Sequence, residues 1–274
     1  GKVSEFAKHA TIIHIDVDPS EVNKIKPAHI GVVSDLKYAL EELNKVVEAP
    51  DISDWLARVR QWKEAEPIRY REHPEAILPQ QAIHELWKLT KDRETIIATG
   101  VGQHQMWTAQ FYKFRKPRTW LSSLGLGTMG FGFPAAIGAA FGRPDRTVID
   151  VDGDGSFAMT LMELATAVEY QVPVKVVILN NHFQGMVRQW QELFYGKRYV
   201  ASKMCNPDYA RVAEAFGARG IAVREKSEVP GAIRTMLDTP GPVVLDVHVD
   251  PNENVYPMVS VGKSLHEMEM GGLS

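Results

Sequence analysis

The chain has 274 residues, of which 45% are hydrophobic, and this length suits one large globular domain or two smaller ones. A formal net charge of −3 gives no reason to expect nucleic acid or an anionic membrane as a partner. Cys205 is the only cysteine, which excludes an internal disulfide and favours a reducing compartment. No apolar run reaches the ~18 residues of a membrane span, and no signal peptide is expected.

The first fifty residues hold too few elements for a domain of their own. Ala10–Ile15 and Ile30–Val33 predict two short strands, and Asp35 is expected to cap an amphipathic helix. A unit of this size is marginal without a disulfide or metal. Because the chain also begins in mid-pattern, we expect residues 1–48 to be the end of a larger α/β domain. The charged, proline-broken stretch 49–79 predicts a partly helical connector.

Residues 80–251 predict a doubly wound α/β domain with a mostly parallel sheet. Helical and strand patterns alternate here, as is typical of this fold class. The predicted strands are Thr95–Ala98, Thr147–Val151, Val174–Leu179, Ile221–Val223 and Val243–Val247. Between the second and third of these, Met159–Tyr170 predicts a helix in which Thr160 and Glu163 are spaced as a capping box. Residues 252–274 are expected to form a C-terminal tail.

Two motifs follow consecutive predicted strands. Gly153-Asp154-Gly155-Ser156 ends one strand and Asn180-Asn181 ends the next. Parallel strands joined by a right-handed crossover bring both motifs to the sheet edge where open α/β sheets bind ligands. A carboxylate from Asp154 and an amide oxygen from Asn181 suit a Mg²⁺ ion that phosphate oxygens also hold. Each motif alone is more often a turn, but the pair, with 25 residues between Gly155 and Asn181, matches the thiamin diphosphate motif.

A glycine loop follows the first predicted strand of this domain. Gly100-Val-Gly-Gln-His104 runs into a helix, whose amino end would present free N–H groups to a phosphate. Gln103 and His104 add side-chain donors. An ordinary strand-to-helix turn with solvated side chains is the alternative interpretation.

Gly125-Leu-Gly-Thr-Met-Gly130 fits the dinucleotide fingerprint, but we expect no dinucleotide there. Trp120–Leu124 makes a poor parallel strand, and Asp145 lies at the expected distance but in a turn pattern. The glycines are interpreted instead as allowing close approach to a flat ligand, with Met129 as an adaptable apolar contact. A core methionine at the start of a helix is the alternative.

Together these segments resemble the catalytic subunit of acetohydroxyacid synthase, also called acetolactate synthase. The resemblance rests on Gly100–Trp107, Gly125–Ala136, Asp152–Ser156, Asn180-Asn181, Gly185-Met186 and Gln189-Trp190. It covers nearly the whole chain, because His14–Asp18 is similar to the end of that family's central FAD-binding domain. The thiamin motif alone indicates only the superfamily; the Gln103–Trp107 run and the Met186–Trp190 helix narrow it to the synthase.

The resemblance implies a set of cofactor contacts. Mg²⁺ would be bound by Asp154, Asn181 and the backbone carbonyl of Phe183. The diphosphate would be held by Gln103, His104, Gly155, Ser156, Gly185 and Met186, with Gly153 in the same loop. Met129 would hold the two rings of the cofactor in a V, and the Gly127 carbonyl would accept a hydrogen bond from the aminopyrimidine. Asp16, Val17, Ser34 and Asp35 match positions that line FAD.

The implied reaction is decarboxylation of pyruvate and transfer of the two-carbon unit to a second 2-keto acid, pyruvate or 2-ketobutyrate. This is the first common step of branched-chain amino-acid biosynthesis. Met186, Val187 and Trp190 would line the substrate channel, with Trp190 favouring the larger keto acid. The activating glutamate of the family belongs to an N-terminal domain, so no catalytic residue is expected in this chain and the chain alone is expected to be inactive.

The resemblance also implies partners and a location. A homodimer or tetramer is expected, together with a regulatory small subunit in some members of the family. The location implied is the cytoplasm of a bacterium, which we favour, or a plastid or mitochondrion in a eukaryote.

Three other hypotheses remain open at this point. A different thiamin diphosphate-dependent carboligase or 2-keto-acid decarboxylase would share the Mg²⁺ motif without the specificity effect of Trp190. A nucleotide-dependent oxidoreductase would use Gly125–Gly130 and bind NADH without Mg²⁺. A non-catalytic interaction module would have no affinity for thiamin diphosphate.

Overall fold

A computed structural model describes residues 1–271 of the protein. One unit comprises Gly1–Arg69 with the residues from Tyr256 onward, and a second comprises Tyr70–Val255. The boundaries expected from the sequence, after residues 48, 79 and 251, stay predictions. Among the described residues, no helix combines the length and the apolar character needed to cross a bilayer.

The first unit contains a small parallel sheet and two helices. Strands β1 (Ile13–Asp16) and β2 (Ile30–Val33) pair with Ile13 opposite Ile30. Helix α1 (Leu36–Val46) follows, and Asp35 caps it as predicted, because its carboxylate accepts the Tyr38 N–H at 3.0 Å. Helix α2 (Ser53–Ala65) lies in the stretch predicted as a partly helical connector. The predicted first strand begins three residues later than expected, since residues 10–12 do not join the ladder.

The second unit is built on a six-stranded sheet in which every pairing is parallel. Its strands are β3 (Thr95–Thr99), β4 (Trp120–Ser122), β5 (Thr147–Gly153), β6 (Lys175–Asn180), β7 (Arg219–Val223) and β8 (Val243–His248), in the spatial order β4-β3-β5-β6-β8-β7. Its helices are α3 (Pro79–Thr90), α4 (Gln103–Phe111), α5 (Gly132–Gly142), α6 (Asp154–Phe157), α7 (Leu164–Glu169), α8 (Gly185–Phe194), α9 (Tyr209–Phe216) and α10 (Val229–Asp238). The predicted doubly wound α/β fold is confirmed.

Two apolar layers cover the sheet, one on each face. On one side Ile83, Leu86, Trp107 and Ile233 pack on Ile97, Ile149, Val177 and Leu245. On the other side Phe133, Ile137, Leu164 and Tyr209 pack on Ala98, Val148, Val176 and Val244. Neighbouring strand residues such as Val148 and Ile149 therefore point to opposite layers, as the pleat of a strand requires. Because both faces are buried, the strands appear in the sequence as unbroken apolar runs.

The segment before the glycine stretch is a strand, contrary to the prediction. Trp120–Ser122 forms β4, which pairs in parallel with β3 and places Trp120 opposite Ile97. The sequence pattern of this strand is weak because it has only three residues and lies at the sheet edge, where its side chains are only partly buried. The second argument against a dinucleotide stands, since Asp145 lies in a turn and its carboxylate binds Arg143 at 2.6 Å.

The predicted helix Met159–Tyr170 is also wrong in its start and its cap. The chain turns into α6 directly at the Gly153-Asp154 motif, passes through a 3₁₀ turn, and forms α7 only from Leu164. No capping box forms, because the Thr160 hydroxyl donates to the Gly130 carbonyl at 3.1 Å instead. A tertiary partner 30 residues away has replaced the local one.

Candidate functional site

The predicted motifs converge on one pocket at the carboxyl edge of the sheet. Strands β3, β5 and β6 are neighbours, with Thr99 opposite Val151 and Gly153 opposite Leu179. Strand β4, which follows β3 in the chain, lies on one side of β3, and β5 lies on its other side. The pocket therefore lies at the point where the strand order reverses, which is where open α/β sheets bind ligands. Its lining residues are Val101, Gly102, Gln103, His104, Trp107, Met129, Gly153, Asp154, Gly155, Ser156, Leu179, Asn181, Phe183, Gln184, Gly185, Met186 and Val187.

Asp154 is the one carboxylate among these lining residues, and only 2% of it is exposed. Its Oδ2 accepts a hydrogen bond from Asn206 Nδ2 at 2.6 Å, and its Oδ1 accepts the Gly155 N–H at 3.1 Å. Burial raises the pKa of Asp154 to about 6, even though these hydrogen bonds act to lower it. No lysine or arginine lines the described pocket. The site therefore holds a buried carboxylate that a bound cation would stabilise in its ionised form.

Asn181 stands beside it at the end of the neighbouring strand. Its Oδ1 accepts the Phe183 N–H at 3.0 Å, and its Nδ2 donates to Gln103 Oε1 at 3.3 Å. The residue between them, His182, adopts a left-handed conformation with φ of +59°. This tight turn brings both Asn181 and the Phe183 backbone to the pocket wall.

The oxygen atoms of the pocket decide which metal it suits. Within residues 1–271, no three His, Cys, Asp or Glu side chains cluster as a metal site of their own. One carboxylate with amide and backbone oxygens is a poor set for Zn²⁺, which takes nitrogen and sulfur ligands. It fits Mg²⁺, which accepts few protein ligands when phosphate oxygens complete its coordination. A cation bound by this donor set would keep coordination positions for the oxygens of an anionic ligand.

The amino end of α4 provides a place for that anion. Gly102 precedes the helix and makes no side-chain cap, so the first N–H groups of α4 remain for a ligand at the pocket. His104 lies in this first turn with Nε2 3.1 Å from the buried Asp152 Oδ1. Ser156 also reaches the pocket, and its hydroxyl accepts the Gly130 N–H at 2.9 Å. The structure brings all these predicted residues together.

Gly185 closes the wall opposite α4. A Cβ atom at this position would lie 2.0 Å from Gln103 Oε1, closer than any real contact. Glycine therefore lets α8 begin directly against the Gln103 side chain. Met186 and Val187 follow it on the same helix and line the pocket as well.

The glycine stretch contributes Met129 to the pocket, but Gly127 lies in the adjoining loop and is not among the lining residues. Gly127 and Gly130 have φ values of +68° and +80°, which side chains disfavour. In β5, the strand that follows, Asp152 precedes the terminal Gly153 and is fully buried, with its Oδ1 3.1 Å from His104 Nε2. Asp145, the acidic residue at the distance that the fingerprint requires, lies in a turn before β5 and binds Arg143 instead.

The three residues predicted to line a substrate channel lie close together on α8. Met186 and Val187 line both the pocket and an adjoining surface groove, and Trp190 lines that groove one helical turn further. Trp190 is 38% exposed and packs edge-to-face on Phe194, with ring centroids 5.2 Å apart. A partly exposed aromatic ring therefore lines the groove that adjoins the pocket.

The four residues assigned to FAD lie in the first unit. Asp16 ends β1 and Ser34 follows β2, and the Ser34 N–H donates to the Asp16 carbonyl at 3.0 Å. Val17 is exposed, whereas the Asp35 carboxylate is occupied as the cap of α1. These residues thus gather at one edge of the small sheet.

Sequence reasoning missed residues that support the site from a distance. Asn206 donates to Asp154 and, at 2.9 Å, to Asn180 Oδ1, while the Tyr209 hydroxyl donates to the Asp154 carbonyl at 2.9 Å. Gln189 belongs to the Gln189-Trp190 pair of the resemblance, but no role was predicted for it; it is fully buried, and its Oε1 accepts a hydrogen bond from Gln103 Nε2 at 2.8 Å. Each of these contacts spans more than 25 residues of sequence, and only the fold reveals it.

Comparison with known proteins agrees with this geometry. The family of thiamine pyrophosphate enzymes matches twice, with its C-terminal TPP-binding domain over residues 100–247 and its central domain over residues 1–43. Acetolactate synthase 1, chloroplastic, of Oryza sativa subsp. japonica is 45% identical over 99% of this chain and 44% of its own length. Acetolactate synthase 1, chloroplastic, of Nicotiana tabacum is 45% identical over 98% of the chain and 42% of its length. The acetolactate synthase large subunit of Pyropia yezoensis is 43% identical over 98% of the chain and 46% of its length. The chain therefore spans less than half the length of these relatives.

Proposed function

This chain belongs to the thiamine pyrophosphate enzymes, and on that premise we propose that it is the carboxyl-terminal part of an acetolactate synthase catalytic subunit. The observation that carries the proposal is the single pocket in which Asp154, Asn181 and the amino end of α4 meet. The similarity to acetolactate synthases along 98–99% of the chain supports it. The proposed reaction decarboxylates pyruvate and transfers the two-carbon unit to a second 2-keto acid.

In this proposal the metal and the diphosphate share the carboxyl edge of the sheet. Asp154, Asn181 and the backbone carbonyl of Phe183 would bind Mg²⁺. The diphosphate would be held by the amino end of α4, His104, Ser156 and the glycines of the Gly153, Gly155 and Gly185 turns. Thiamin diphosphate, when bound, supplies the electron sink for the decarboxylation of a 2-keto acid.

The residues of this chain would act by positioning and by excluding water. Met129 would support the rings of the cofactor from the glycine loop, and the Gly127 carbonyl would accept a hydrogen bond from its pyrimidine. Met186 and Val187 offer an apolar wall between the pocket and the groove. Trp190 would give apolar contact area to a second keto acid with one more methylene, which is worth roughly 1–3 kcal/mol of discrimination.

The first unit would contribute to a flavin site. Asp16, Val17, Ser34 and Asp35 lie together at strand ends, which is where open α/β sheets bind ligands. We propose FAD as the ligand because the matched central domain is the one that carries it in the synthase family. The homodimer or tetramer, the regulatory subunit and the cytoplasmic location remain parts of the same proposal.

The proposal is tested with the full-length protein in the presence of thiamin diphosphate, Mg²⁺ and FAD. Acetolactate formed from pyruvate, with release of CO₂, is the expected result. Acetaldehyde or another product from the same cofactor would identify a decarboxylase or a different carboligase. NADH binding with no affinity for thiamin diphosphate would contradict the whole assignment.

The metal site is tested by Asp154→Ala. Wild-type protein should gain about 2.7 kcal/mol of stability from cofactor and Mg²⁺ at a hundredfold excess over the dissociation constant. The variant should gain almost none, because it lacks the one carboxylate of the pocket. Asp92→Ala, exposed in the turn before β3 at the opposite edge of the sheet, is the control and should keep the full gain. If cofactor and Mg²⁺ raised the melting temperature of Asp154→Ala as much as that of wild type, the metal assignment would be contradicted.

A further inference from the structure

Three buried side-chain amides form a continuous chain that ends at Asn181. Gln189 on α8 accepts a hydrogen bond from Gln103 Nε2 at 2.8 Å, and Gln103 Oε1 accepts one from Asn181 Nδ2 at 3.3 Å. All three residues are at least 95% buried. In such a setting each polar atom needs a partner, and an amide turned the wrong way leaves two unmatched groups.

The backbone of Val255 determines the direction of this chain. Its N–H donates to Gln189 Oε1 at 2.9 Å, and its carbonyl accepts from Gln189 Nε2 at 3.0 Å. A backbone amide cannot exchange its donor and acceptor, whereas a side-chain amide can rotate to do so. Gln189 therefore has one permitted orientation, with its oxygen toward Gln103.

The orientation passes from one amide to the next. Because Gln189 presents an oxygen acceptor, Gln103 must donate to it from Nε2. The Oε1 atom of Gln103 then faces Asn181. Asn181 must therefore donate to Gln103 from Nδ2, so that its Oδ1 faces away from Gln103 and acts as an acceptor. That oxygen takes the Phe183 N–H and, having two acceptor positions, keeps one for another ligand. The Phe183 N–H next to Asn181 and, through Gln189 and Gln103, the backbone of Val255 therefore favour the same orientation, in which Asn181 presents Oδ1 at the pocket.

We propose that Gln189 is a positioning residue for the metal, acting through Gln103 to keep the Asn181 amide oxygen available to Mg²⁺. The inference rests on the proposed function, because it assumes that a cation binds at Asp154 and Asn181. It extends that function by a residue which lines neither the pocket nor the groove.

The three hydrogen-bonded amides also change the role expected for Gln103, whose side chain was predicted to bind the diphosphate. Both hydrogens of its Nε2 have acceptors, one being Gln189 Oε1 at 2.8 Å and the other the Glu253 carbonyl at 3.3 Å. No side-chain donor of Gln103 remains for a diphosphate. Its contribution to the anion is therefore the backbone N–H at the start of α4, while its side chain serves Asn181.

The test is a Mg²⁺ titration of thiamin diphosphate binding to the full-length protein, followed by the cofactor-induced melting shift. Gln189→Leu removes the acceptor for Gln103 and should raise the half-saturating Mg²⁺ concentration 10–100-fold, as is typical for partners of metal ligands. Gln189→Glu keeps an oxygen of the same reach toward Gln103 but places the other oxygen against the Val255 carbonyl. It should therefore lower the melting temperature while leaving the half-saturating Mg²⁺ within about threefold of wild type.

Gln105→Leu is the matched control, since Gln105 lies on the same helix as Gln103 but donates to Ser122 Oγ at 2.7 Å. Its Mg²⁺ dependence should equal that of wild type. The double variant Gln189→Leu/Gln103→Leu should need no more Mg²⁺ for half-saturation than the single variant with the lower Mg²⁺ affinity. Both substitutions interrupt the same hydrogen-bonded connection to Asn181, so their effects should not add.

Three results would overturn the inference. Gln189→Leu could leave the Mg²⁺ dependence unchanged, or Gln189→Glu could lose Mg²⁺ affinity as severely as Gln189→Leu, which would indicate a general structural role. Additive losses in the double variant would also contradict a single path. A wild-type protein without Mg²⁺-dependent cofactor binding would instead contradict the proposed function.

Discussion

Asp154 must be ionised to bind a cation, yet its surroundings favour the protonated form. Burial raises its pKa from 3.8 to about 6. A folded-state pKa above the unfolded value means that the cation-free protein loses stability as the pH rises from about 4 through 6. A bound divalent cation reverses this preference, because it stabilises the carboxylate. In the proposed function, protons and Mg²⁺ would therefore compete at this residue.

We predict that the half-saturating Mg²⁺ concentration for cofactor binding rises as the pH falls below about 6, approaching tenfold per pH unit. A phosphate group also titrates near pH 6, so the wild-type slope combines two effects. Asp154→Asn keeps the phosphate effect and removes the carboxylate one, and its slope should be shallower. Parallel slopes in the two proteins, measured by calorimetry between pH 5 and 7.5, would show that Asp154 does not bind the ion.

At the scale of single residues, the sequence indicates the candidate metal ligands more readily than the residues that hydrogen-bond to the pocket from behind it. The Gly-Asp-Gly and Asn-Asn motifs identify Asp154 and Asn181 because a strand end followed by polar and glycine residues is a local pattern. Asn206 belongs to no such motif, and the Gln189-Trp190 pair does not indicate what Gln189 contacts. Their partners lie 52 and 86 residues away in sequence, so their value depends on which strands become neighbours.

The start of α8 shows how one helix depends on the element opposite it. In an exposed helix, Gly→Ala stabilises by about 0.5–1 kcal/mol. At Gly185 the added methyl group would meet Gln103 Oε1 at 2.0 Å, and Gln103 cannot move without leaving Asn181 and Gln189. Displacing α8 would also displace Met186 and Val187 from the pocket.

We therefore predict that Gly185→Ala weakens thiamin diphosphate binding at least tenfold. Gly138→Ala is the comparison, because Gly138 lies on an exposed turn of α5 and an added methyl group there meets no atom within 4 Å. This control should raise the free energy of unfolding by about 0.5–1 kcal/mol and leave cofactor affinity alone. Thermal melts with and without cofactor measure the affinity of both variants. Equal affinities would contradict the prediction and would mean that Gln103 can move away from the added methyl group without disturbing the pocket.

At the scale of elements, strongly apolar strands are predictable and weak ones are not. The five strands expected in the second unit all form within one to two residues of their predicted ends. The edge strand β4 has three residues and only partial burial, so its pattern carries little signal. The segment after Asp154 departs from prediction because Thr160 binds Gly130 across the fold rather than capping its own helix.

At the scale of the whole molecule, the two units bury apolar surface very differently. In the first unit Ala39 is the one buried residue of α1, and Ile13 and Val33 remain about 60% exposed. In the second unit both faces of the sheet are covered by continuous apolar layers. The sequence predicts this contrast in part, since the first fifty residues contain few elements. It does not indicate which side chains stay exposed, because that depends on neighbours rather than on pattern.

The distribution of carboxylates over the molecule leads to the last prediction, which concerns the 274-residue chain by itself. Thiamin diphosphate chemistry in the family this chain resembles needs a carboxylate at the pyrimidine ring. Among the described residues that line the pocket, Asp154 is the one acid, and the metal would occupy it. Glu163 accepts a hydrogen bond from Thr166 at the start of α7, and Glu253 is held by Gln80 at 2.8 Å. Neither lines the pocket.

We expect the chain alone to bind thiamin diphosphate and Mg²⁺ weakly but to form no acetolactate from pyruvate. Binding should survive because the metal oxygens, the amino end of α4 and the glycine turns all lie within Tyr70–Val255. Turnover should fail because orientation of the cofactor is not sufficient without a carboxylate to exchange the proton. The full-length protein assayed under the same conditions is the positive control. Robust acetolactate formation by the chain alone would show that a carboxylate within it takes that role, and loss of this activity in Glu253→Gln would identify Glu253 as that carboxylate.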